Sequence, residues 1–126
     1  MCKKFYLCEK CGNLVEVVEC GGGALVCCGA KMTALEANTK DASLEKHVPK
    51  VEISENVVNV CVGSIEHPMT EEHHISFIYL VTDKNVYRHD LAHTGAPKAS
   101  FVLAEGESAQ SVYEYCNLHG LWKVDL

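Results

Sequence analysis

The sequence predicts a mostly β protein in two parts, a small metal-stapled knot over residues 1–36 and an antiparallel β-sandwich of about seven strands over residues 37–126. Three observations carry this reading. Cys8, Cys11, Cys20, Cys27 and Cys28 crowd the first part beside the glycine triplet 21–23, whereas residues 37–126 hold only Cys61 and Cys116. Short runs of β character recur beyond residue 50, separated by turn-forming residues. Between those runs there is no long stretch with the 3.6-residue apolar period of an amphipathic helix.

The first part is too short to fold on apolar burial alone, so it needs a staple. After it, Asn38-Thr39-Lys40-Asp41-Ala42-Ser43 is polar and without periodicity, and reads as a linker or loop. The first strand of the second part lies near Val51–Ile53. Next, Val58, Val60 and Val62 alternate with Asn59, Cys61 and Gly63, the pattern of a half-buried strand. Residues 75–81 are apolar on both faces apart from Ser76, which suits a central strand. Further strands are expected over 85–91, 98–103, 111–115 and 121–124. The turns between them are Gly95-Ala96-Pro97, Glu105-Gly106-Glu107 and Asn117-Leu118-His119-Gly120.

Composition excludes several classes. A formal charge of -6 with seven histidines offers no basic footprint for nucleic acid. The longest apolar run falls far short of the roughly 20 residues that cross a bilayer. The opening residues lack the apolar centre and small-residue cleavage site of a signal peptide, so a reducing cytoplasm is expected, with no membrane partner. Disulfides within the cysteine cluster are accordingly not expected.

Cys8-Glu9-Lys10-Cys11 followed by Cys27-Cys28 supplies four thiolates, and C-x-x-C is a standard way to present two sulfurs to one metal. Adjacent cysteines on an extended strand point to opposite faces, so use of both Cys27 and Cys28 demands a turn, which Gly29 permits. A tetrahedral site of four sulfurs suits zinc or iron alike. Cys2, Cys20 and Cys61 fit no ligand spacing; Cys61 reads as a packing residue and the other two as spare thiols.

Three patches of the second part look chemical: Glu45-Lys46-His47-Val48-Pro49, the stretch from His67-Pro68-Met69 to His73, and Cys116-Asn117-Leu118-His119. All lie at strand ends or in loops, where side chains can converge on one rim of a sandwich. Cys-x-x-His on a late loop has two familiar metal solutions. Blue copper needs a weak axial ligand soon afterwards, usually methionine, and residues 121–126 contain none. The other solution sets several neutral imidazoles around iron, with one thiolate as axial donor and a position left for a small ligand.

On these motifs, C-x-x-C with C-C, E-K-H-x-P, H-P-M-x-x-x-H and C-N-x-H, the sequence resembles desulfoferrodoxin, the two-iron class of superoxide reductase, over essentially its whole length. The resemblance implies a desulforedoxin-like domain with an iron at Cys8, Cys11, Cys27 and Cys28, zinc being a possible substitute there. It also implies an immunoglobulin-like catalytic domain with a second iron on His47, His67, His73, Cys116 and His119. His73 is thereby favoured over His74, since successive strand residues face opposite ways; His89 and His93 match no motif and read as surface residues.

The implied activity is one-electron reduction of superoxide to hydrogen peroxide at ferrous iron. In that scheme Lys46 attracts and orients superoxide and organises proton delivery, and Glu45 takes the sixth position once the iron is ferric. A rubredoxin-like electron donor and a homodimer are also implied. The competing readings are a non-catalytic electron-transfer or structural metal protein, and a superoxide dismutase.

Overall fold

The computed structural model describes residues 3–126, and Cys2 lies outside the described residues. The chain divides into two units, 1–36 and 37–126.

The first unit contains β1 (Phe5–Leu7), β2 (Leu14–Glu16), β3 (Val26–Cys27), β4 (Ala30–Lys31) and β5 (Thr33–Ala34). They form a three-stranded sheet in the order β2-β1-β5 and a separate β3-β4 hairpin. Among the described residues of this unit only Phe5 and Cys8 are buried apolar side chains, while Val18 is 87% exposed and Val26 63% exposed. Two buried groups cannot offset the ordering entropy of some three dozen residues, at about 1–2 kcal/mol each. The need for a staple inferred from length is thus visible in the packing.

The second unit opens with a short helix α1 (Leu44–His47). Seven strands follow: β6 (Pro49–Ser54), β7 (Val57–Val62), β8 (Ile75–Thr82), β9 (Val86–Asp90), β10 (Lys98–Val102), β11 (Ala109–Cys116) and β12 (Gly120–Asp125). Each predicted strand position carries one. The sheets run β10-β7-β6 and β12-β11-β8-β9, and every pairing is antiparallel.

Alternation does what the sequence suggested. Val58, Val60 and Val62 are buried against Ile78, Leu80 and Val112, while Asn59 and Cys61 take the other face of β7. Cys61 is only half-buried there, in register with Lys50 on one side and Lys98 on the other, so it packs on a sheet surface and not in the core. β8 is central, between β11 and β9, and Ile78, Tyr79 and Leu80 are all buried.

Antiparallel order also fixes where the chemistry falls. The end of α1, the start of β6, the end of β7, the start of β8, the end of β11 and the start of β12 all belong to one rim. Asn38 ties the opening segment to β12: its amide donates to the Lys123 carbonyl and accepts from the Lys123 N–H.

Candidate metal centres

The first cluster is assembled by two turns. Cys8 and Cys11 flank a knuckle in which Gly12 N donates to the Cys8 carbonyl (2.9 Å) and Cys11 N donates to the Cys8 sulfur (3.4 Å). Cys28 and Gly29 form the two-residue turn between β3 and β4, with φ of 54° and 73°. A hairpin of this length favours positive φ at both positions, and this is how adjacent cysteines come to point the same way. The four sulfurs lie within 4.8 Å of one another, with Cys11 and Cys27 at 3.6 Å and Cys27 and Cys28 at 4.0 Å.

All four thiols are free. The backbone N–H of Cys11 lowers the Cys8 thiol to about 6. Sharing with the Cys11 thiol, then with Cys27 and Cys8, pushes Cys28 up to about 12. Four thiolates so close repel one another unless a cation sits among them, so the donor set fits a tetrahedral thiophilic metal. Cys20, by contrast, is no spare thiol but is disulfide-bonded. Its lack of metal-ligand spacing was read correctly, but pairing depends on approach in space, which spacing does not report.

The second cluster draws on most of this rim. His47 ends α1, His67 and His73 lie in the β7–β8 connection, Cys116 ends β11 and His119 precedes β12. Ligand atoms of His47, His67, His73 and Cys116 lie within 4.8 Å of one another. His119 joins them, its Nδ1 standing 3.1 Å from His47 Nε2 and 3.9 Å from the Cys116 sulfur.

The imidazoles form a near square. Neighbouring ring centroids are 4.8 Å (His47–His67), 4.5 Å (His67–His73), 5.1 Å (His73–His119) and 4.8 Å (His119–His47) apart, and the His47–His73 diagonal is 6.4 Å. Cys116, His47 and His67 are fully buried, whereas His73 and His119 are half-buried.

Ring orientation is set locally. His47 Nδ1 donates to the Ser43 carbonyl at 2.7 Å and His67 Nδ1 to the Pro68 carbonyl at 2.6 Å, which leaves both Nε2 atoms as acceptors. Those two acceptors face each other at 3.3 Å. His73 Nε2 is buried with no hydrogen-bond partner. Facing lone pairs and an orphaned nitrogen are both relieved by a cation at the centre, so the residues fit a metal. Burial, ahead of mutual repulsion, lowers the His47 and His73 pKa values and brings His67 to about 4, so these rings are neutral and able to ligate at pH 7. Burial likewise raises the Cys116 thiol, opposed by N–H groups of Leu118 and His119 aimed at its sulfur.

Glu45 and Lys46 are exposed on α1. Burial and the neighbouring histidines come first in lowering His47 and His73, and the positive charge of Lys46 adds a smaller contribution. The α1 backbone rests on a turn: Ile65 N and the Ser64 hydroxyl both donate to the Glu45 carbonyl (3.0 and 3.3 Å). A Cβ at Gly63, where φ is +78°, would stand 2.1 Å from that carbonyl oxygen.

His73 and His74 both precede β8, so strand alternation is not what separates them. His74 is excluded because its Nδ1 is held by the carbonyls of Thr70 (2.9 Å) and Glu71 (3.1 Å) and its ring stacks on His93 at 3.6 Å. His89 is exposed; His93 is partly exposed but is tied into that stack.

Sequence reasoning missed two neighbours of the square. Trp122 is fully buried, stacks on His47 at 5.0 Å and donates to the His119 carbonyl at 3.0 Å. Glu114 is fully buried with neither carboxyl oxygen partnered, and burial holds its pKa well above the ordinary range. Its alternation with Val112 and Cys116 was a readable sign that it faces inward.

Residues 39–125 match the desulfoferrodoxin family and residues 2–35 match the desulfoferrodoxin N-terminal domain. The chain belongs to the desulfoferrodoxin family. It is 50% identical over 120 residues to a desulfoferrodoxin of Syntrophotalea carbinolica, covering 95% of this chain and 94% of that one. To the desulfoferrodoxin of Nitratidesulfovibrio vulgaris it is 45% identical over 122 residues, covering 97% and 95%. Among solved structures, the superoxide reductase of Treponema pallidum superposes with a TM-score of 0.80 at 34% identity, covering 98% of this chain and all (100%) of that one. A one-iron superoxide reductase of Giardia intestinalis gives 0.50 at 35% identity, covering 65% of this chain and 99% of that one. No helix among the described residues is long and apolar enough to cross a membrane.

Proposed function

We propose that the protein is a superoxide reductase, converting superoxide, one electron and two protons into hydrogen peroxide at iron held by His47, His67, His73, His119 and Cys116. The observation that carries this is the near-square of imidazoles with one buried thiol 3.5 Å from His67 Nε2 and 3.9 Å from His119 Nδ1, and with the His73 and His119 edge half-exposed. Ferrous iron bound there would supply the electron and a site for a small anion. A Cys116 thiolate would donate charge to it, and the Leu118 and His119 N–H groups would moderate that donation.

Superoxide must reach this rim against a net charge of -6, so attraction has to be local. Lys46 supplies it, orienting the anion and ordering the water that carries a proton. The Glu45 carboxylate, exposed on α1, would offer a further ligand to ferric iron held there and so help product leave. Cys8, Cys11, Cys27 and Cys28 hold a second iron, which zinc can replace. A rubredoxin-like protein returns electrons, and the protein works in the cytoplasm as a homodimer. The second unit is the catalytic immunoglobulin-like domain and the first a desulforedoxin-like domain. In support, the Giardia enzyme is covered to 99% by a match spanning only 65% of this chain.

The test is product stoichiometry after mixing reduced protein with superoxide. Peroxide without released oxygen is expected, whereas oxygen release in proportion to peroxide would indicate dismutation. Cys116→Ser should abolish turnover and the thiolate-to-iron charge-transfer band of this centre, leaving the absorption of the first centre in place. Survival of both band and turnover would remove Cys116 from the site.

A further inference from the structure

The two loops that carry the solvent-side ligands are joined by one side chain. The β8–β11 ladder is interrupted beside the site, since Tyr115 pairs with Phe77 but Cys116 pairs with Ile75, with Ser76 bulged out. Beyond Cys116 the chain turns away to bring His119 back toward β12. An ordinary antiparallel rung at this point would exchange two backbone hydrogen bonds between residues 117 and 74. Only one is made by backbone alone, Asn117 N donating to the His74 carbonyl at 3.2 Å. The other is completed by a side chain: His74 N donates to Asn117 Oδ1 at 2.8 Å. The same amide then donates from Nδ2 to the Glu72 carbonyl at 2.9 Å. Those two bonds bracket ligand His73 from both sides, and Asn117 itself stands between ligands Cys116 and His119.

We propose that Asn117 is a positioning residue, a side-chain rung that locks the His73 loop to the Cys116–His119 loop and so sets how the Cys116 sulfur and the His73 and His119 rings stand to one another. This role rests on the five-ligand site proposed above. The chemistry required is narrow. The rung needs an acceptor and a donor on one short side chain whose backbone N–H also points at His74. Aspartate keeps the acceptor but sets an oxygen against the Glu72 carbonyl; alanine keeps neither. Serine is too short to span both partners, and glutamine carries one methylene too many. Partners outside the ligand shell that orient ligands typically change metal affinity 10- to 100-fold when removed.

The test compares wild type, Asn117→Ala and Asn117→Asp in the iron-loaded protein. Three quantities are read: the position of the Cys116 charge-transfer band, ferrous-iron affinity by competition with a chelator, and hydrogen exchange of the His74 amide. Asn117→Ala should shift the band, weaken iron binding about 10- to 100-fold and speed exchange at His74. Asn117→Asp should retain slow exchange at His74, which still has its acceptor, and lose less affinity. Should Asn117→Ala fail to fold, Asn117→Asp decides by the same band and affinity. A variant with a lower melting temperature but unchanged band and iron affinity would overturn the proposal, leaving Asn117 a residue of the fold alone. A wild-type protein lacking the band would instead overturn the site reading, and this role with it.

Discussion

The two metal clusters of this chain are built in opposite ways. In the first, Cys11 and Cys28 are exposed, the strands that present Cys27 and Cys28 are two residues long, and the unit buries only Phe5 and Cys8 among its described apolar side chains. In the second, the ligands stand on the rim of a seven-strand sandwich, with Cys116 and His47 packed against core and Trp122. The first unit therefore owes its shape to the metal, because binding energy is folding energy where no core exists. The second owes its metal geometry to the fold. Two of its imidazoles, His47 and His67, are oriented by backbone carbonyls, and Trp122 stacks on His47.

The largest effect expected from this difference follows removal of metal by a chelator, or Cys28→Ser. Structural sites of this kind release about 10–16 kcal/mol on metal binding, more than a small unit can replace. The first unit should lose amide protection throughout while β6–β12 keep theirs; superoxide reduction should largely survive Cys28→Ser but be lost on chelation, which strips the second site as well. Hydrogen exchange followed by peptide would break the comparison if both units remained protected, or if both were lost together.

A moderate effect is expected at the far end of the sandwich, where its stability is independent of metal. The Glu107 carboxylate accepts from the Thr82 hydroxyl (2.5 Å), the Tyr87 hydroxyl (2.7 Å) and Ala104 N (2.9 Å), and the first of these contributes most to holding its pKa at about 2, below the ordinary 4.5. Between those values the unfolded chain binds the extra proton, so stability rises with pH. The contribution is full above about 4.5 and is lost as pH falls through about 2. Glu107→Gln should therefore lower the melting temperature at neutral pH and converge on wild type in acid. A difference between the two proteins that stays constant with pH would remove Glu107 from the acid limb.

The smallest effect is electrostatic and sharpens the claim that the second site is preformed. Lys46→Ala should leave the iron spectrum nearly unchanged but slow the reaction of reduced protein with superoxide by roughly tenfold, since one partly screened charge pair is worth about 1–4 kcal/mol. The wild-type rate should fall as the Debye length shrinks from roughly 30 Å at 0.01 M salt to roughly 8 Å at 0.15 M, and the variant should respond less. Pulse radiolysis across a salt series measures both. Equal rates and equal salt slopes would reduce Lys46 to a solvated loop residue.

Local pattern was enough for much of this molecule. The alternation of Val58, Val60 and Val62, the two-faced apolar run from Ile75 and the turn residues between strands specified a seven-strand sandwich, because side-chain period and turn chemistry are properties of neighbouring residues. The C-x-x-C and Cys27-Cys28 pairs announced the first cluster in the same way, down to the turn at Gly29. What the chain did not announce locally was every feature that depends on approach across the fold. His74 is disqualified by carbonyls and by the ring of His93, nineteen residues away, Cys20 is disulfide-bonded, and Gly63 lies beneath Glu45.

The sequence by itself determined the two-part organisation, the strand count, the four thiols of the first cluster and the residue types of the second. Only the tertiary structure decided that five residues from three separated segments gather as four imidazoles and a buried thiol. It also decided that Trp122 stacks on His47 and that Asn117 ties the two ligand loops together. The physical reason is range: hydrophobic period and turn propensity act over a few residues, whereas ligand geometry is set by the packing of one sheet's rim on the other, which brings residue 47 to residue 119, and by antiparallel pairing, which brings residue 74 to residue 117.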